Sequence, residues 1–203
     1  AHIETGSGPA SWFHDGTPAG IADMNGNVWE KLSGMRLNNG EIQIIKDDDM
    51  FLATIDHSDT SADWKAIKSD GSLVAPGTSG SLKYDWVSSK IQLTTSITTQ
   101  ADSGRSCEYK DMTLVSGLSA PELAKALIIY PDAPAGDYGG DNHWMINSGE
   151  RLPIAGGNWN NGANAGVFNL NLNNPRSNAN WNIGFRAALI PILCQMHYVK
   201  SVL

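Results

Sequence analysis

Residues 168–173 alternate strictly between large apolar side chains and asparagine: Phe168-Asn169-Leu170-Asn171-Leu172-Asn173. A strand points successive side chains to opposite faces. The alternation therefore predicts a strand with Phe168, Leu170 and Leu172 against a core and Asn169, Asn171 and Asn173 toward solvent. A second strand is predicted at Val28-Trp29, behind the Asn25-Gly26 turn. A third is predicted over Gly40-Glu41-Ile42-Gln43-Ile44-Ile45, behind the Asn38-Asn39-Gly40 turn. Residues 61–68 read as a short helix, with Ser61 as N-cap and Trp64 on its apolar side. A longer helix is predicted from Ser119-Ala120-Pro121-Glu122: Ser119 caps it, Pro121 sits in the first turn, Leu123, Leu127 and Tyr130 repeat at helical spacing, and Pro131 stops it. Residues 69–117, rich in Ser, Thr, Gly and Asp, read as loops and short strands. No Pro-rich linker or internal repeat divides the chain, so a single domain over residues 1–203 is expected.

The asparagines extend well beyond the alternating run. Eleven fall between Gly156 and Arg186: Asn158, Asn160, Asn161, Asn164, Asn169, Asn171, Asn173, Asn174, Asn178, Asn180 and Asn182. Asparagine is a poor strand former, so local propensity does not account for them. Low-complexity disorder is the ordinary alternative, and Asn161-Gly162 has the form of a simple turn. However, Trp159, Phe168, Leu170, Leu172, Trp181, Ile183 and Phe185 interrupt the segment at short intervals. They supply the apolar burial that a disordered tract lacks. The pattern points to an ordered surface of short amides, which donate and accept hydrogen bonds without being reactive, and hence to a binding face.

Charge and composition narrow the partners. The formal net charge is −7, which disfavours nucleic acid and anionic membranes, whose phosphates need clustered Lys and Arg. No apolar run is long enough for a membrane-spanning helix; residues 185–194 are broken by Arg186 and Pro191. The opening residues AHIETGSGPASWFHDG lack the basic and apolar regions of a signal peptide. Cys107 and Cys194 fit two free thiols better than a disulfide scaffold, although one bond between them stays open. His2, His14, His57, His143 and His197 have no partners at metal-ligand spacing. Asp47-Asp48-Asp49 and Asp56-His57-Ser58-Asp59 lack a glycine-centred ligand loop and read as solvated turns.

Two separated motifs carry a family resemblance. Asp23-Met24-Asn25-Gly26-Asn27-Val28-Trp29-Glu30 resembles the D-x-x-G-N-V-W-E motif of formylglycine-generating-enzyme-like domains. The start Gly156-Gly157-Asn158-Trp159 and the finish Ile183-Gly184-Phe185-Arg186 resemble the G-G-S-W … G-F-R close of that superfamily. Within it, residues 156–186 are most similar to the variable region of proteins diversified by diversity-generating retroelements, among them receptor-binding tail proteins of phages and prophages. Residues 47–145 match less clearly and read as an insert.

The resemblance implies an α+β fold class: a C-type lectin fold of the formylglycine-generating-enzyme-like subtype, loop-rich with a small twisted antiparallel sheet. It implies a non-catalytic display domain whose variable region recognises a protein or glycan on a host-cell surface, alongside other phage tail subunits. The location would be the virion or a bacterial cell surface, with no nucleic acid partner and no membrane insertion. No cofactor is implied; calcium held by loop carbonyls occurs in the superfamily but is assigned no position here. Asparagine codons mutated at their adenines yield Ala, Pro, Ser, Asp or Tyr but never Trp. Ala163 thus joins the asparagines as a candidate ligand-binding position. Trp181, which that route cannot produce, is a candidate on its place in the segment alone. Trp29, Trp159, Phe185 and Arg186 are expected to be framework, with Arg186 held by carboxylate or carbonyl partners. The related oxidases use a copper-binding cysteine pair, and neither Cys107 nor Cys194 lies where the resemblance would put one. An oxidase relative and a structural tail-assembly domain are the alternative readings.

Overall fold

The computed structural model describes residues 3–134 and 136–186. Cys194, His2 and His197, and the continuation of the apolar stretch past Arg186, lie outside the described residues. The strands, in chain order, are β1 (Trp29–Lys31), β2 (Met35–Asn38), β3 (Glu41–Ile45), β4 (Trp64–Ile67), β5 (Leu73–Val74), β6 (Lys83–Val87), β7 (Lys90–Thr94), β8 (Arg105–Glu108), β9 (Thr113–Leu114), β10 (Asn142–Met145), β11 (Glu150–Ala155), β12 (Leu170–Asn174) and β13 (Ile183–Gly184). They join in one sheet whose main path runs β8-β10-β12-β11-β2-β3-β6-β7-β9. Branching from it, β1 pairs with β11 and β13, and β4 with β3 and β5. Most pairs are antiparallel, but β10/β12, β7/β9 and β1/β13 are parallel.

Two tight hairpins set the register of the larger part. Asn39 and Gly40 both have positive φ (47° and 77°), as the type I′ turn between β2 and β3 requires. Ser88 and Ser89 make the same turn between β6 and β7 with φ of 51° and 60°, without the Asn-Gly signature. With register fixed, the inward side chains meet. Leu37, Ile42, Tyr84, Leu93, Met145 and Leu172 are fully buried in one apolar cluster, each worth about 1.5–3 kcal/mol over exposure for an aliphatic or aromatic side chain. Tyr84 sends its hydroxyl to the Ile129 carbonyl, so the phenol is not left unsatisfied.

The expected fold class, α+β with the small antiparallel sheet of a C-type lectin fold, is corrected: the protein is β-rich, built on a thirteen-stranded mixed sheet. The one α-helix among the described residues, α1 (Glu122–Ala126), is five residues long. Its N-cap position falls on Pro121 rather than Ser119, with no side-chain cap. It stops because Ile128 adopts φ +58°, leaving Leu127 largely exposed while Tyr130 is buried beyond the helix. The helix expected at residues 61–68 is instead a strand. Trp64, Lys65 and Ala66 pair with Ile45, Ile44 and Gln43 of β3, and the Trp64 indole donates to the Ser58 carbonyl at 2.8 Å. Pairing with an already fixed neighbour outweighs a weak local helix preference.

Candidate functional site

The two motifs of the sequence, about 130 residues apart, meet as a clasp. The Gly26 amide donates to the Gly156 carbonyl at 2.7 Å, Trp159 to Asn27 at 3.2 Å and Trp29 to Asn182 at 2.9 Å. Strand β1 adds parallel pairing of Trp29 with Ile183 and Glu30 with Gly184. Arg186 closes it: Nε donates to Glu30 at 2.7 Å, and its terminal nitrogens reach the Ala22 and Asp23 carbonyls at 3.0 Å. The expected carboxylate and carbonyl partners of Arg186 are therefore present. The glycines are needed for contact. A Cβ on Gly156 (φ +81°) would fall 2.8 Å from the Met24 carbonyl oxygen, and one on Gly157 would fall 2.6 Å from the Ala165 methyl. Trp29 is buried against the edge of Trp144. Phe185, expected to be framework, is 81% exposed, which corrects that assignment: β13 ends at Gly184, so no strand carries Phe185 toward the core.

The asparagines serve two uses, shaping the backbone and facing solvent, and Asn180 shares in both. In β12, Leu170 and Leu172 are buried as the alternation predicts, and Asn171, Asn173 and Asn174 are half-buried. Asn169, expected in solvent, is only 1% exposed. It lies one residue before β12, where its amide closes a turn onto the Gly166 carbonyl and its side chain donates to the Asn164 carbonyl. Phe168 is half-buried, stacked on Tyr109. Several side-chain amides shape their own backbone, the ordinary use of asparagine in turns. Asn161 accepts from the Asn158 amide at 2.8 Å, Asn171 from the Asn173 amide at 2.9 Å, and Asn180 from the Trp181 amide at 2.9 Å. Asn178 donates to Asn174 at 2.6 Å. Asn158 is buried and Asn161, Asn178 and Asn182 are half-buried. The side chains turned outward are those of Asn160, Ala163, Asn164, Asn180 and Trp181, the last 67% exposed and packed 4.6 Å from Trp159. Folding therefore explains part of the asparagine excess in this segment.

An open cleft of about 620 Å³ lies between Trp159 and Val167 of this segment and residues 3–27. Its N-terminal wall, with Trp12, His14, Asp23 and Met24, was not among the sequence candidates. Large apolar side chains stand out around it: Trp12, Met24 and Val167 are all exposed. The opening motif pointed here, but Trp12 and His14 precede it and no spacing marked them.

Charges nearby serve the scaffold. Buried Arg36 donates to Glu150 at 2.8 Å and lies over the Trp64 ring, and Arg176 of the variable-like segment grips the same carboxylate at 2.7 and 2.9 Å. Burial pushes the Glu150 carboxyl up, but hydrogen bonds and charge from Arg176 and Arg36 outweigh it and hold the group below its usual range. Asp141 shows the reverse balance. Burial raises it, opposed only by the Phe168 amide at 2.8 Å. His143, fully buried and stacked on Tyr109, is depressed by desolvation to about 3 and stays neutral. Cys107 is buried, and desolvation raises its thiol, which disfavours the reactive thiolate. Among the described residues, no group of three or more His, Cys, Asp or Glu side chains is placed to hold a metal ion. The run at residues 56–59 is an Asp-Ser turn: the Ser58 amide donates to Asp56 at 2.8 Å. No helix among the described residues is long and apolar enough to cross a membrane. No family model matches the chain, and no curated protein matches it by sequence.

Proposed function

We propose that this protein is a non-catalytic recognition domain that presents the cleft and the outward side chains of residues 158–182 to a protein or glycan on a host-cell surface. The observation that carries the reading is the grouping of large exposed apolar side chains beside the clasp: Trp12, Met24 and Val167 line the cleft, and Trp181 packs on Trp159, which lines it too. Contiguous exposed apolar surface marks interaction sites, and rigid aromatic anchors supply most of the energy where they occur. The resemblance of residues 156–186 to retroelement-diversified variable regions supports the same reading and suggests a phage or prophage tail as its setting. Under it, Asn160, Ala163, Asn164, Asn180 and Trp181 carry specificity, whereas Asn158 and Asn169 hold the loops in shape.

The test is a library at those five outward positions, scored separately for thermal stability and for adsorption to candidate host cells. Well-folded variants with altered adsorption are expected. General loss of folding would favour a structural role in tail assembly, and unchanged adsorption would move recognition off this face.

A further inference from the structure

Phe13 and Ala22 form an isolated antiparallel bridge. The bridge, with the Asp23 amide donating to the Trp12 carbonyl at 3.1 Å, folds the chain back on itself and brings Trp12 and His14 beside Asp23. All three line the cleft. Each is set in a defined state. The Trp12 ring rests on Gly8, where an added Cβ would fall 2.2 Å from a ring carbon, and half of the residue's surface, 50%, stays open. Asp23 is 7% exposed, and its Oδ2 accepts from the Gly6 amide at 3.0 Å; among the described residues no hydrogen-bond donor reaches Oδ1. His14 Nδ1 accepts from the Ile21 amide at 2.7 Å, which puts the proton of the neutral ring on Nε2 and makes that atom a donor.

We propose that this cleft is a saccharide subsite. A neutral pyranose lies with its C–H face on the Trp12 ring, one hydroxyl donating to Asp23 Oδ1 and another accepting from His14 Nε2. The inference rests on the reading that this face meets a surface ligand, and it names glycan as the class. An aromatic plane beside a buried acceptor and a fixed donor matches a ligand with one apolar face and a rim of hydroxyls. It matches a flat apolar partner poorly, because such a partner would leave Asp23 buried without compensation. No Lys or Arg is among the described lining residues, which disfavours an anion. Arg186 is already paired with Glu30 and reaches only the Asp23 carbonyl, so a cation is the competing occupant, which the choline arm below decides. The volume of about 620 Å³ falls in the range of small-ligand sites, roughly 300–1,000 Å³.

The experiment titrates the full chain with the methyl glycosides of glucose, galactose, mannose and N-acetylglucosamine, followed by NMR at the Trp12 indole and His14 signals. Sorbitol, an open-chain polyol without a ring face, and choline chloride serve as controls. At least one glycoside is expected to shift both signals in a saturable way, with sorbitol and choline silent. Trp12→Ala should weaken that binding at least about tenfold, as loss of an anchor does, while Trp12→Phe keeps most of it. Gly8→Ala should also weaken it by displacing the ring, and unchanged amide spectra away from the cleft show that each variant is folded. No shift with any glycoside, equal shifts with sorbitol, a response to choline alone, or undiminished binding by folded Trp12→Ala overturns the proposal. Because free sugars are used, this failure is separable from that of the recognition reading. A chain that adsorbs to cells through the outward positions but ignores sugars binds a protein there.

Discussion

The β2–β3 hairpin and the clasp between residues 23–30 and 156–186 both hold backbone in a tight, fixed path, by opposite means. The hairpin is local: Asn39 and Gly40 adopt the left-handed conformations the turn needs, and Leu37 and Ile42 beside it are completely buried. The clasp is non-local and rests on backbone hydrogen bonds, close glycine contacts and the Arg186–Glu30 pair, while Met24, Trp181 and Phe185 around it stay exposed. Burial fixes a structure and uses up its side chains. A hydrogen-bonded clasp fixes the backbone and leaves side chains exposed. Substitutions should therefore be costly in the sheet, intermediate at the clasp and cheap on the surface it holds.

The largest expected effect is on pH dependence within the sheet. The folded-state pKa of His143, about 3, lies below the unfolded value of 6.5, so the unfolded chain takes up the proton first as pH falls. The neutral-ring contribution is complete above pH 6.5 and is lost between there and about pH 3, up to roughly 5 kcal/mol. Glu150, held low, adds to the acid loss, and Asp141, raised, opposes it. Urea unfolding of the wild type and His143→Phe from neutral to acid pH checks this: the variant should lose clearly less stability, and parallel curves would refute it. Leu172→Ala comes next, at about 2–5 kcal/mol for a fully buried leucine, measured by the same unfolding experiment. Glu150→Ala should cost about 3 kcal/mol, because it leaves Arg36 buried without its carboxylate. A loss no larger than that of an exposed pair would show that solvent reaches Arg36.

At the clasp, Gly156→Ala forces a side chain into a left-handed conformation against the Met24 carbonyl and should cost about 2 kcal/mol. It should also broaden NMR signals from residues 23–30, leaving those of the hairpins unchanged. The smallest effects separate the two uses of asparagine. Asn171→Ala, which removes the acceptor of the Asn173 amide, should cost about 1 kcal/mol. Asn160→Ala should change stability by less than about 0.5 kcal/mol, as for an ordinary surface site. Equal values would remove the distinction between loop-shaping and outward asparagines.

The β-structure was legible only where pattern and turn chemistry agreed, as in β3 behind Asn39-Gly40 and in the buried Leu170 and Leu172 of β12. The clasp motifs were legible as sequence signatures, although nothing local shows that they touch. The failures share one cause. Trp64 to Ile67 has no strand signal of its own and is drawn into the sheet by β3. Ser88-Ser89 carries no turn signature and is set by the strands it joins. Asn169 lies just outside the strand whose alternation it seemed to continue, and a turn rotates it inward. The N-terminal wall of the cleft carries no mark in the sequence, because Trp12 and His14 join it only where the chain folds back through the Phe13–Ala22 bridge.

The clasp also bears on the order of assembly. Its closing pair, Glu30 and Arg186, lies 156 positions apart, so joining them shuts a loop that takes in most of the described chain. Contacts at such separation form slowly, because the ordering entropy is spent before they reward it. The clasp is therefore expected to close after the local β2–β3 and β6–β7 hairpins, which pulse-labelled hydrogen exchange of the Gly26 and Trp29 amides against those of the hairpins would check. Yet the cost of closure rises only with the logarithm of loop length, about 0.6 kcal/mol for each doubling. Lengthening or shortening a surface loop between the motifs should therefore cost little, so long as the two ends that lock together keep their shape.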